Sequence, residues 1–348
     1  MDRKSIGIVG AGAWGTALAE SAAQAGRDVR LWAYERETVE EVNAYHTNRV
    51  YLPGVTLSPG VKATARTQDI ASADIVLMVV PSQFFRSIVA EFAPLLAGKP
   101  VLICTKGFEE GSGKLMSDVL AEVAPRALAG VLTGPSFAAE VARGLPTALT
   151  IAAPDETFGN EAANALGSRT LRLYWTDDMR GVQVGGAVKN VLAIACGIVS
   201  GRRFGSNAQA ALISRGFAEL SRFGIAMGAR PETLSGLSGL GDLILTCSSP
   251  QSRNMSLGLA LGEGKTLADI LGSRKSVSEG AHSAGAVVAL AREMGIEMPI
   301  CEAVRAVLAG EMDVDAAITA LQSRPFRAEA DRDRLPPATP DKKRQNSR

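Results

Sequence analysis

The sequence predicts an α/β fold in which a doubly wound parallel sheet is followed by an all-helical second half. In the first half, short apolar runs such as Ile75-Val-Leu-Met-Val-Val80 alternate with helical patterns. Continuous apolar runs of this kind are typical of parallel strands that are buried on both faces. After about Trp175 the strand-like runs disappear, and long alanine- and leucine-rich segments with helical periodicity replace them.

The length of the chain predicts two domains. At 348 residues and 46% apolar composition it exceeds the size of most single cores, which stop growing near about 250–300 residues. We expect the first domain over residues 1–180 and the second over residues 181–325. Residues 326–348 carry prolines and many charges with few apolar side chains, so we expect a disordered tail there.

The individual elements follow from the same patterns. Strands are expected at residues 5–10, 28–32, 75–80, 101–105, 129–132, 148–152 and 171–175. The first helix is expected over residues 14–25, closed by Gly26.

Composition limits the partners and the compartment. Lysine plus arginine (37) nearly balances aspartate plus glutamate (36), so there is no overall positive field to hold nucleic acid or an anionic membrane surface. The four cysteines are far apart in sequence, which disfavours a disulfide framework and a thiolate metal site. The first strand begins almost at once, leaving no room for a signal peptide. We therefore expect a cytoplasmic protein without a bound metal.

The longest apolar stretch covers residues 182–199 and contains Gln183, Lys189 and Asn190. By length and polarity it falls short of a membrane span, so a buried helix of a soluble protein is expected here.

A glycine-rich segment, Gly10-Ala-Gly12-Ala-Trp-Gly15, follows the first predicted strand and opens the first predicted helix. In this context Gly10 makes the tight turn and Gly12 lets the backbone approach a pyrophosphate. Gly15 lets the helix pack closely on the strand, and the helix N-terminus offers free N–H groups to the anion. The first half is therefore predicted to be a Rossmann-like domain that binds NAD(H) or NADP(H).

The choice between the two cofactors stays open. An acid about 20 residues past the glycines binds the ribose hydroxyls of NAD, whereas an arginine there binds the 2′-phosphate of NADP. Glu35 favours NADH and the adjacent Arg36 favours NADPH, and both could equally be solvated loop charges. Residues 107–115 resemble a phosphate-binding loop, but the spacer after the first glycine is one residue too long, and a leucine follows Lys114 where that motif has serine or threonine. Nucleotide hydrolysis is therefore not predicted.

Reduction of a carbonyl needs a proton donor as well as a hydride. The two histidines, His46 and His282, lie in polar, loop-like sequence without an obvious acid partner. Lys189 is the leading candidate, because it stands in an otherwise apolar helix and desolvation lowers a lysine pKa toward the range of acid–base catalysis. The alternative is a lysine whose ammonium reaches water at the edge of the helix.

Three further residues follow predicted strands at their carboxyl ends, where open α/β sheets bind ligands. They are Lys106, Gly134 and Ser136. A surface lysine and an ordinary Gly-Pro turn would give the same pattern.

Polar residues also interrupt the second half. Asp242 follows a glycine-rich stretch and could orient Lys189 or a substrate hydroxyl, or cap the next helix. Ser252, Arg253 and Asn254 precede a helical run, so a hydroxyl, a guanidinium and a helix N-terminus would gather at a site suited to phosphate. A plain serine cap with a solvated arginine is the alternative.

Taken together, these motifs resemble the bacterial glycerol-3-phosphate dehydrogenase [NAD(P)+] family over about residues 6–321. The matching segments are G-A-G-A-W-G-T-A-L-A from Gly10, Y-L-P-G from Tyr51, T-K-G from Thr105, G-P-S-F-A-A-E from Gly134, V-K-N-V-L-A-I-A from Val188, G-L-G-D-L-I-L-T-C from Gly239, S-R-N from Ser252 and V-S-E-G from Val277.

The resemblance implies reduction of dihydroxyacetone phosphate to sn-glycerol 3-phosphate, with Lys189 as proton donor and acceptor. It implies that the substrate is held by Lys106, Gly134, Ser136, Lys189, Asp242, Ser252, Arg253 and Asn254. It implies that the cofactor is lined by Ala13, Trp14, Lys106, Ala138, Arg253, Val277 and Glu279, with Tyr34 and Arg36 near the adenosine ribose.

The resemblance also implies a homodimer that supplies glycerol 3-phosphate for phospholipid synthesis. Two alternatives are a related two-domain dehydrogenase that acts on a β-hydroxy acid and an NAD(P)-binding sensor without turnover.

Overall fold

A computed structural model describes residues 5–272 and 279–325 of the chain. The strands are β1 (Ser5–Val9), β2 (Asp28–Trp32), β3 (Val61–Thr64), β4 (Ile75–Met78), β5 (Pro100–Ile103), β6 (Leu128–Thr133), β7 (Thr147–Ala152) and β8 (Leu171–Thr176). They form one sheet in the order β3-β2-β1-β4-β5-β6-β7-β8.

Helices surround and follow this sheet. Those between the strands are α1 (Ala13–Gln24), α2 (Arg36–Tyr45), α3 (Ser82–Leu96), α4 (Met116–Val123), α5 (Ala138–Ala142) and α6 (Glu156–Leu166). Those after the sheet are α7 (Met179–Gly201), α8 (Gly205–Ala226), α9 (Pro231–Ser235), α10 (Asp242–Ser248), α11 (Arg253–Gly262), α12 (Leu267–Gly272), α13 (Glu279–Glu293), α14 (Pro299–Leu308) and α15 (Val314–Gln322). The predicted class, a doubly wound sheet followed by helices, is confirmed.

The sheet differs from the prediction in two respects. β3 was not predicted, and it pairs with β2 at one edge of the sheet. All neighbouring strands are parallel, as expected, except β6 and β7, which run antiparallel. The carboxyl ends of β1 to β6 therefore share one edge of the sheet, which we call the carboxyl edge, and β7 and β8 point away from it.

The apolar runs of the central strands fill both faces of the sheet, as their sequence predicts. In β4, Ile75 and Leu77 pack into the core on one face, while Val76 and Met78 pack into the core on the other. The second half has a core of its own, built around α7, α8, α11, α13 and α14. The exact division of the chain between residues 180 and 181 stays a prediction, and the expected tail lies outside the described residues.

Helix α7 is the centre of the second half. It has 23 residues and by length and composition alone is apolar enough to cross a membrane, so the expectation that this stretch is too short and too polar for a span was wrong. However, 94% of its most apolar window is buried inside the protein, as in the core helix of a soluble fold. The burial of α7, and not its length, therefore accounts for its composition.

Close contact between backbones fixes α11 against α7. A Cβ atom at Gly258 of α11 would lie 1.9 Å from the carbonyl oxygen of Ile194, and one at Gly197 of α7 would lie 2.0 Å from that of Met255. Only glycine fits at these positions, so the two helices approach more closely than side chains normally allow.

The four cysteines are Cys104, Cys196, Cys247 and Cys301, and all are free and buried. Burial raises the pKa of the Cys104 and Cys301 thiols well above the ordinary value. Their thiols are thus protonated and shielded from water.

Candidate active site

The glycine-rich turn between β1 and α1 has the geometry that a dinucleotide needs. Gly10 has a φ of 114°, and a Cβ at Gly15 would lie 1.8 Å from the carbonyl oxygen of Gly10. A Cβ at Gly12 would meet no atom of the described chain within 4 Å, so open space lies above the N-terminus of α1. Ala13 and Trp14, which begin α1, are half-buried beside this space. A pyrophosphate fits this turn, since free N–H groups at a helix N-terminus bind anions.

The end of β2 carries the residues expected near the adenosine ribose. Tyr34, Glu35 and Arg36 are all exposed, and Arg36 begins α2. The hydroxyl of Tyr51 donates a hydrogen bond to Oε1 of Glu35 at 3.1 Å. Glu35 is therefore bound by Tyr51, next to the exposed Arg36.

Three charged side chains meet at the carboxyl edge. Nζ of Lys189 donates to Oδ1 of Asp242 at 2.9 Å, and Nζ of Lys106 donates to Oδ2 of the same carboxylate at 2.7 Å. Asp242 is 1% exposed and Lys189 is 6% exposed. The carboxylate therefore bridges the lysine after β5 and the lysine in the middle of α7.

Burial and charge act in opposite directions on this cluster. Burial lowers the pKa of Lys189 to about 8, although the neighbouring Asp242 opposes the change. Burial alone would raise the pKa of Asp242, but the positive charges of Lys106 and Lys189 hold it below its ordinary value. The result is an ionised carboxylate beside an ammonium that can give up its proton near neutral pH.

Thr246, which was not predicted from the sequence, also belongs to this cluster. Nζ of Lys189 donates to Oγ1 of Thr246 at 2.7 Å, and this hydroxyl lies 3.3 Å from Oδ1 of Asp242. Asp242 and Thr246 are four residues apart on α10, which places them on one face of the helix. The cap alternative for Asp242 was wrong, because Asp242 is the first residue of α10 and its carboxylate binds the two lysines.

Gly134 and Ser136 lie next to the cluster. The carbonyl oxygen of Gly134 accepts from Nζ of Lys106 at 3.4 Å and from Oγ of Ser136 at 3.1 Å. The ends of β5 and β6 are therefore brought together with α7 and α10. Ala138, assigned to the cofactor by resemblance, begins α5 and packs against the core beneath α1.

The segment from Ser252 to Asn254 begins α11. Oγ of Ser252 accepts from the backbone N–H of Met255 at 3.2 Å, which makes Ser252 the N-cap, and the following Arg253 is exposed. Asn254 is buried and binds Oδ1 of Asn190 at 2.9 Å through its Nδ2. The helix end is thus linked to α7 directly beside Lys189.

One of the remaining candidates, Glu279, lies near the hydrogen bond between Asn254 and Asn190, and the others lie elsewhere. Nδ2 of Asn190, which the sequence analysis did not single out, donates to Oε2 of Glu279 at 3.4 Å. Val277 lies outside the described residues. His282 lies in α13, so the expected loop setting was wrong for it, whereas His46 follows α2 in a left-handed conformation.

The fold and the site define a class of protein. A dinucleotide-type turn and a buried lysine–carboxylate pair at the same sheet edge are the parts of a nicotinamide-dependent dehydrogenase.

Comparison with known proteins agrees with this class. The chain matches the family models of the NAD-dependent glycerol-3-phosphate dehydrogenase N-terminus over residues 5–159 and C-terminus over residues 178–319. The chain therefore belongs to the NAD-dependent glycerol-3-phosphate dehydrogenase family.

Individual relatives match along nearly their whole length. Glycerol-3-phosphate dehydrogenase [NAD(P)+] of Parvibaculum lavamentivorans is 60% identical, covering 94% of this chain and 98% of the relative. The enzyme of Caulobacter vibrioides is 57% identical, covering 95% of this chain and 100% of the relative. The crystal structure of glycerol-3-phosphate dehydrogenase from Coxiella burnetii has a TM-score of 0.89 and 40% identity, and the match covers 93% of this chain and 100% of that structure.

Proposed function

We propose that the chain reversibly reduces dihydroxyacetone phosphate to sn-glycerol 3-phosphate with NADH or NADPH. The observation that carries this proposal is the buried Lys189–Asp242 pair at the carboxyl edge, in a member of this family. The product would supply glycerophospholipid synthesis.

The bound nicotinamide cofactor supplies the hydride. Its pyrophosphate would be held by the turn formed by Gly10, Gly12 and Gly15 and by the N–H groups of Ala13 and Trp14. Tyr34 and Arg36 would lie at the adenosine ribose. The other residues that we assign to the cofactor are Lys106, Ala138, Arg253, Val277 and Glu279.

Lys189 would transfer the proton. An ammonium has three N–H groups. Two of those of Lys189 already donate, one to Asp242 and one to Thr246. The remaining N–H is available to the C2 oxygen of the substrate, which becomes an alkoxide as the hydride arrives. Asp242 holds the ammonium in position and stabilises its charge, and in the oxidative direction the neutral amine accepts the proton.

The phosphate of the substrate would serve as its handle. Arg253 and the N-terminus of α11, capped by Ser252, can bind a dianion. Asn254 would fix this helix end beside Lys189 through its bond to Asn190. Lys106, Gly134 and Ser136 would surround the rest of the substrate, so that its carbonyl carbon lies in reach of the hydride.

The first test follows absorbance at 340 nm while the purified protein acts on dihydroxyacetone phosphate with NADH or NADPH. Lys189→Ala should lose about 10²–10⁴-fold in kcat, the contribution that general acid–base catalysis typically makes. Lys62→Ala, which changes an exposed lysine of β3, is the matched control and should behave like the wild type. The ratio of the rates with the two cofactors decides between Glu35 and Arg36.

Two outcomes would contradict the proposal. Turnover of a β-hydroxy acid in preference to the phosphorylated ketone would favour the related dehydrogenases. Binding of NAD(P)H without turnover of any phosphorylated ketone would favour a sensor. Dihydroxyacetone, which lacks the phosphate, is expected to be a far poorer substrate.

We further propose that the protein acts in the cytoplasm as a homodimer. Light scattering of the eluting peak in size-exclusion chromatography measures the mass directly, and the mass of one 36.3 kDa chain would contradict the dimer.

A further inference from the structure

The segment between α2 and β3, residues 46–60, lies against the cofactor turn and carries the Tyr51-Leu-Pro-Gly54 motif. We call it the 46–60 loop. Its far end is tied to α1, because the buried carboxylate of Glu20 accepts from the backbone N–H of Ser58 at 2.6 Å and from its hydroxyl at 2.7 Å. Its near end places Asn48, which is 1% exposed, directly beneath the glycine-rich turn.

Asn48 uses its whole side-chain amide in this position. Nδ2 donates to the carbonyl oxygen of Ala11 at 2.9 Å and to Oγ1 of Thr16 at 2.9 Å. Oδ1 accepts from the backbone N–H of Tyr51 at 3.3 Å. Two donors and one acceptor on one short side chain are what an asparagine supplies and a serine or an aspartate does not.

The bond to Ala11 determines where the next N–H points. In a trans peptide the carbonyl and the N–H of one unit point in opposite directions. The carbonyl of Ala11 is held inward by Nδ2 of Asn48 at 2.9 Å and by Oγ1 of Thr16 at 3.2 Å, so the N–H of the same peptide unit, that of Gly12, must point to the opposite side, where α1 begins. That N–H is one of the unpaired donors of the helix N-terminus.

We propose that Asn48 is a positioning residue for the dinucleotide, which orients the Gly12 N–H toward the pyrophosphate. This inference rests on the proposed function, because it takes the ligand of the turn to be NADH or NADPH. Asn48 does not touch the reacting atoms and acts through the backbone of the turn.

The test compares two asparagines that bind backbone in the same protein. Asn43 binds both the N–H and the carbonyl of Ala63, each at 2.9 Å, but does so between α2 and β3, away from the turn. For Asn48→Ala we expect the Kd of NADH, measured by fluorescence titration without substrate, to rise about three- to tenfold, because binding must then order the Gly12 N–H at a cost comparable to about one hydrogen bond. The kcat at saturating NADH should stay within about twofold of the wild type. Asn43→Ala should leave the Kd unchanged, although it removes two hydrogen bonds.

A second variant keeps the test decisive if Asn48→Ala does not fold, as judged by circular dichroism. Asn48→Asp retains the size of the side chain and the acceptor for Tyr51 but removes both donors, so it should raise the Kd by at least as much. A wild-type Kd in the folded Asn48 variant, or an equal rise in Asn43→Ala, would overturn the inference. A protein that binds NADH as expected but does not reduce dihydroxyacetone phosphate would contradict the proposed function and leave the role of Asn48 standing.

Discussion

Lys189 owes its proposed chemistry to residues that are distant in sequence. Burial in α7 favours its neutral form, whereas Asp242, which is 53 residues away, favours its charged form. Because the first effect is larger, the pKa is lowered to about 8. A proton with this pKa can move in either direction at neutral pH.

The pH dependence of the rate should therefore be opposite for reduction and for oxidation. Reduction needs the ammonium of Lys189, so we expect its kcat/KM to fall as the pH rises through about 8. Oxidation needs the neutral amine, so its kcat/KM should rise over the same range. Initial rates between pH 6 and pH 10 in both directions measure this. Parallel profiles in the two directions would show that Lys189 is not the group that transfers the proton.

Single residues were predictable where their setting was unusual. A lysine within an apolar helix and a lysine after a buried strand stand out in the sequence, and both lie at the site. Thr246 does not stand out, although its spacing of four from Asp242 on a helix was a usable signal. The pairing of Asp242 with Lys189 was among the predictions, but its second partner, Lys106, could not be deduced locally, since it is 136 residues away.

At the level of elements, the packing of α11 on α7 sets the position of the proposed phosphate-binding site, which is formed by Arg253 and the N-terminus of α11. The two helices touch through backbone, so the end of α11 at Arg253 has little freedom relative to Lys189. A side chain between these helices would displace the N-terminus of α11 and the phosphate-binding groups that it carries.

We accordingly expect Gly258→Ala to destabilise the protein by about 1–3 kcal/mol, because the added methyl would overlap the carbonyl of Ile194. It should also raise the KM for dihydroxyacetone phosphate. Gly285→Ala is the matched control, since that helical glycine in α13 is exposed and its Cβ would meet nothing within 4 Å. It should stabilise the protein by up to about 1 kcal/mol. Denaturant unfolding measures both changes, and equal effects of the two variants would contradict this account of the contact.

Strands were predictable where they are apolar and central. The strand predicted at residues 75–80 is β4, which ends at Met78, two residues before the predicted end. The prediction extends too far because the apolar run continues beyond the last residue that pairs in the sheet. β3 is a four-residue edge strand that contains Lys62, and its pattern is too short to distinguish from a loop. The reversal of β7 depends on pairing between strands, which no local run of residues encodes.

At the scale of the whole molecule, polar contacts join the sheet to the helical half. The Lys106–Asp242 ion pair is one, and the double contact between Gln183 of α7 and Ser117 of α4, at 2.9 and 3.0 Å, is another. Arg230 also pairs with Asp177, between the start of α9 and the end of β8. The two halves should therefore unfold together.

Calorimetry can test this coupling with the cofactor as the probe. We expect one cooperative transition, and NADH at 100 times its Kd should stabilise the fold by about 2.7 kcal/mol. For a chain of this size that corresponds to an increase in Tm of about 4 °C. Two transitions, of which NADH moves only the first, would mean that the halves unfold independently.

The burial of all four cysteines has a practical consequence for spectroscopy. Thiol reagents attack the exposed thiolate, and the native sulfurs are buried in the described structure, with raised pKa values at three of them. A dye or spin label would therefore react selectively with a cysteine placed at an exposed position such as Ser206 on α8. The native cysteines therefore need not be replaced before distance probes are attached to the two halves.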